Sequence, residues 1–75
     1  MMSVRDIFVA ALSLKANGKP LHEIRAAILD MGRANGFSAI DEIRGEDTFE
    51  IIFDTAGKIS FDGRKLYYGE GTDGR

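Results

Sequence analysis

The chain holds one histidine, His22, no cysteine, and 12 acidic side chains, so the chemistry open to it is narrow. Without cysteine there is no thiol nucleophile, no disulfide and no thiolate metal site. Serine, His22 and aspartate are all present, but the Gly-x-Ser-x-Gly turn that presents a serine nucleophile is not. A lone His22 would need an orienting partner and a pocket to act as a general base. Glu23 cannot orient it, because neighbours on a helix do not face each other. Glu23 reads instead as a first-turn acid facing the helix dipole, and His22 as a solvated or helix-capping residue. Glu42, Glu46 and Asp47 cluster locally but lack the ligand spacing of a calcium loop. A solvated charged segment is the expected reading. No catalytic residue, metal or cofactor is expected, and the chain is read as not an enzyme.

Asp54-Thr55-Ala56-Gly57 resembles the short Asp-Thr-Ala-Gly element of small GTPases. Nucleotide binding there needs a glycine-rich phosphate loop with Lys and Ser/Thr, and this sequence has none. The motif is therefore expected to be a hairpin turn. At 75 residues the chain is one small domain with little room for a pocket. Ten basic against 12 acidic residues leave a net charge of −2, too balanced to imply a nucleic-acid or membrane partner. No apolar run approaches the roughly 18–20 residues of a membrane span. Met1–Leu14 carries Arg5 and Asp6 and lacks a signal-peptide layout, so a cytoplasmic location is expected.

Two helices must position whatever surface the chain uses. Val4, Ile7, Phe8, Ala11 and Leu12 recur at helical spacing after an N-cap at Ser3, with Asp6 completing a capping box. Asn17-Gly18 ends this helix, expected over about residues 4–16. Pro20 suits the start of a second helix, over about 20–32, whose stripe is Leu21, Ile24, Ala27, Ile28 and Met31. Gly32 and Gly36 both offer a stop. The short connection implies an antiparallel helical hairpin. Residues 38–44 admit a short helix or an extra strand. The Ser38–Asp41 capping spacing and Ile40–Ile43 favour the helix.

The remainder reads as a three-stranded antiparallel meander, over about 48–54, 58–61 and 64–68. Asp62-Gly63 signals a two-residue hairpin and Thr55-Ala56-Gly57 a three-residue loop. Together they place Ile59 between Phe53 and Leu66. They also put Phe49, Ile51, Phe53, Ile59, Phe61, Leu66 and Tyr68 on one face, the core that the helices should cover. The whole is an α+β domain over 1–69, with a glycine-rich flexible tail at 70–75.

The opposite face would carry Glu50, Ile52, Asp54, Lys58, Ser60, Lys65 and Tyr67. Ile52 and Tyr67 stand where polar residues would be safer, and exposed apolar side chains on a sheet can mark a contact surface. The expected partner-binding set is Ile52, Tyr67, Lys65, Lys58 and Ser60. The competing readings are that scattered surface hydrophobes are normal, or that the Phe37–Asp47 segment or the tail folds over these residues. The expected function is a small non-catalytic protein-binding module, a regulator, adaptor or inhibitor of a larger protein, with homodimerisation as a variant. The alternative is DNA binding. Two helices, a short third and a hairpin follow the order of a winged helix-turn-helix, and residues 18–24 look like the start of one. Its recognition helix would be Ser38–Arg44, where Asp41 and Glu42 would repel phosphate, so nucleic acid is not the expected partner.

Overall fold

The computed structural model describes residues 1–45 and 47–71. Helix α1 spans Val4–Ala16 and α2 spans Leu21–Ala34. Strands β1 (Ile40–Gly45), β2 (Thr48–Ile52), β3 (Gly57–Phe61) and β4 (Leu66–Glu70) follow, forming one antiparallel sheet in the order β1-β2-β3-β4.

Local chemistry explains the helix limits. Ser3 Oγ accepts from the Asp6 backbone N–H at 3.1 Å, and Asp6 returns the bond to the Ser3 N–H at 2.9 Å, so the capping box is complete. Hydrogen bonds from the Ser3 backbone N–H first, and then from the Ser3 side chain, hold the Asp6 carboxyl below its ordinary range. Gly18, at φ 75°, turns the chain after α1. Pro20 is the cap before α2 rather than its first residue, and α2 runs through Gly32 to stop before Gly36. Gly32 is inside the helix because it lies directly beneath the Phe53 ring, which a β-carbon there would overlap. The Met2 N–H donates to Asn35 Oδ1 at 2.9 Å and ties the start of α1 to the end of α2.

The stretch for which a short helix is favoured over an extra strand is strand β1. Asp41 lies opposite Ile51 and Ile43 opposite Phe49, while Ile40 faces Ile52 and Glu42 faces Glu50 on the other side. Pairing with β2 outweighs the weak local helix signal, as strand choice depends on neighbours more than on intrinsic preference. The guanidinium of Arg25 grips the Asp41 carboxylate and fastens α2 to β1. The third helix required by a winged helix-turn-helix is thus a strand.

Both turns of the meander open one residue away from the expected position. The first uses Asp54-Thr55-Ala56, closed by Phe53 N–H to Gly57 O at 2.8 Å and Ala56 N–H to Phe53 O at 2.9 Å. Asp54 itself adopts φ 49° there. The second turn uses Gly63-Arg64, because the Asp62 carboxylate accepts the Arg64 and Lys65 N–H groups at 2.8 and 2.9 Å and so flanks the turn instead of lying within it. Each displacement moves the pairing by two residues. Ile59 therefore lies between Ile51 and Tyr68, not between Phe53 and Leu66. A two-residue shift keeps every side chain on its face. The core still unites Phe49, Ile51, Phe53, Ile59 and Leu66 with Val4, Ile7, Ala11, Ile24 and Ile28, and Phe61 and Tyr68 pack against it. Strand β4 continues through Gly69 and Glu70, so the folded part extends past the expected limit at 69. The rest of the expected tail, residues 72–75, lies outside the described residues.

Candidate interaction surface

Both helices lie on the sheet face that carries the core, and among the described residues no element lies on the other. The cross-strand partners order that open face into rows. One row runs Ile40, Ile52, Lys58, Gly69, and the next runs Glu42, Glu50, Ser60, Tyr67. Strand β1 lies beside β2 rather than over it, so β1 widens this face.

Of the expected contact residues, Ile52, Lys58, Ser60 and Tyr67 share the face, but their arrangement differs from a single apolar floor. Lys58 is not at the rim. It stands between Ile52 and Gly69, where a β-carbon on Gly69 would lie 3.0 Å from its Cγ and Cε, so its stem lies along the glycine. Its Nζ reaches Glu50 at 3.4 Å, and the Glu50 side chain is only 18% exposed. This cation and Ser60 divide the apolar surface into an isoleucine patch on β1 and β2 and a tyrosine patch on β4. Lys65 flanks the β3–β4 turn, and Asp54 belongs to the β2–β3 turn rather than to the face.

The sequence reading missed Ile40. It is 59% exposed and directly opposite Ile52, so the apolar patch is a cross-strand pair. No local pattern marked it, because Ile40-Asp41-Glu42-Ile43 does not alternate, and its place on the open face follows only from the pairing of β1 with β2. Tyr67, 47% exposed, is held from one end: its hydroxyl donates to Asp62 Oδ2 at 3.0 Å. The backbone bond from Lys65, then that from Arg64, and more weakly the tyrosine bond hold the Asp62 carboxyl below its ordinary range. The same hydrogen bond, with the charge of Asp62, raises the Tyr67 phenol.

His22 is exposed near the start of α2, and among the described residues no group of three metal-ligating side chains forms. No helix among the described residues is long and apolar enough to cross a membrane. No family model matches the chain, and no curated protein or solved structure gives a match.

Proposed function

We propose that the domain is a non-catalytic protein-binding module that docks a partner protein on the open face of its sheet, in the manner of a small regulator, adaptor or inhibitor. The observation that carries this reading is the Ile40–Ile52 pair with Tyr67 on a face free of any described element, set among Glu42, Glu50 and Lys58. Apolar centres edged by charge are how specific interfaces are commonly built, and tyrosine is frequent at their energetic centres. A cytoplasmic location is part of the same proposal.

Thermal unfolding of Ile40→Ser and Ile52→Ser tests the reading. A face kept apolar for a partner contributes little to the isolated fold, so each variant should lose less than about 1 kcal/mol. Losses of about 2–3 kcal/mol in both would make these isoleucines structural and overturn the proposal.

A further inference from the structure

We infer that β4 is the dimerisation edge of this protein, and that two copies pair their β4 strands antiparallel about Tyr68 into one continuous eight-stranded sheet. The sheet has two open edges, and they are built differently. Strand β1 carries Asp41 and Glu42 and is broken by a bulge between Ile43 and Gly45, devices that discourage further pairing. Strand β4, Leu-Tyr-Tyr-Gly-Glu, has neither proline nor interior charge, and its pairing with β3 is regular.

The hydrogen-bond pattern sets the register. Asp62 N–H donates to Lys65 O at 3.2 Å, so these two form a hydrogen-bonded pair. Alternation then turns the Tyr67 and Gly69 backbone groups toward β3 and those of Leu66, Tyr68 and Glu70 toward the open edge. Every edge-facing group finds a partner only when Tyr68 meets Tyr68 of the second copy and Leu66 meets Glu70. Charge selects the same direction. The turn that leads into β4 is basic, at Arg64 and Lys65, and the far end of the strand is acidic, at Glu70. Antiparallel self-pairing brings opposite ends together, whereas parallel pairing would oppose like charges.

Helix α1 supplies the second half of the contact. Its core stripe is Val4, Ile7 and Ala11, yet a further apolar stripe, Phe8, Val9 and Leu12, follows at helical spacing. Val9 is 56% and Leu12 41% exposed. Phe8 and Val9 line the groove between α1 and β4, and the Phe8 ring lies 5.7 Å from that of Tyr68. Helix α1 rests over β3 and β4. With strands about 4.8 Å apart, a two-fold axis beside β4 places the two α1 helices about 10 Å apart. That is the packing distance of contacting helices, roughly 8–10 Å, so the second stripe would close against its own copy. The open face used for partner binding stays free in this dimer.

Sedimentation equilibrium of the folded protein is the test, with charge-reversed variants as its specific arm. The wild type should sediment as a dimer at ~100 µM. Val9→Lys, on an exposed position, should weaken dimerisation roughly tenfold or more while melting like the wild type. Glu70→Lys alone and Arg64→Glu with Lys65→Glu alone should each dimerise poorly, but a mixture of the two should form heterodimers. A monomeric wild type at ~1 mM would overturn the inference, leaving β4 to an extended peptide or to no partner. Charge-reversed variants that dimerise as well apart as together would overturn it too.

Discussion

Asp62 does more than any single residue to shape the candidate surface. One carboxylate oxygen closes the β3–β4 turn and the other anchors Tyr67. The sequence marked Asp62-Gly63 as the turn itself. It could not show that the carboxylate would bind the two following N–H groups and move the turn on by one residue. Because the folded-state carboxyl titrates below its unfolded value, these bonds stabilise the fold above the ordinary aspartate pKa near 3.8 and are lost as pH falls below it. A carboxyl-detected NMR titration should give Asp62 a midpoint below that of a free aspartate. Tyr67→Phe should raise the midpoint without restoring the free value, since the stronger Lys65 and Arg64 bonds remain.

At the scale of elements, legibility followed the strength of the local signal. The capping box at Ser3, the stripes of both helices and the inward face of the meander were readable because each rests on several agreeing residues. Residues 38–44 were not, because two isoleucines three apart satisfy a helix while the partner that makes them a strand, β2, lies later in the chain. The turn positions were off by one residue each, yet the faces came out right because each slip moved the pairing by two. Two glycines test the packing. Gly57 has φ 143°, with a would-be β-carbon 2.9 Å from Gly69 O, so Gly57→Val should destabilise by about 1–3 kcal/mol in a denaturant melt. Gly32 is helical, and alanine would ordinarily strengthen a helix there by up to about 1 kcal/mol. Beneath the Phe53 ring the sign should reverse, with Gly32→Ala costing about 1–3 kcal/mol. A stabilised Gly32→Ala protein would show that α2 can move off Phe53 freely.

For the whole molecule, the asymmetry of the sheet is the governing fact. One face is filled by two helices and a core of isoleucine and phenylalanine, and the other presents Ile40, Ile52 and Tyr67 among charges. Two of these three apolar residues were legible in the sequence, since Ile52 and Tyr67 fall on the outer face by parity alone. Ile40 and the central place of Lys58 needed the true neighbours of β2 and β3. The measurement that bears most directly on the contact reading is parallel capture from an extract of the source cell. The wild type and an Ile40→Ser/Ile52→Ser variant serve as baits, at a temperature where both are folded. The account predicts a discrete protein retained by the wild type and lost by the variant, and regained when Val9→Lys is the bait instead. Retention of the same proteins by wild type and the double variant alike would contradict it.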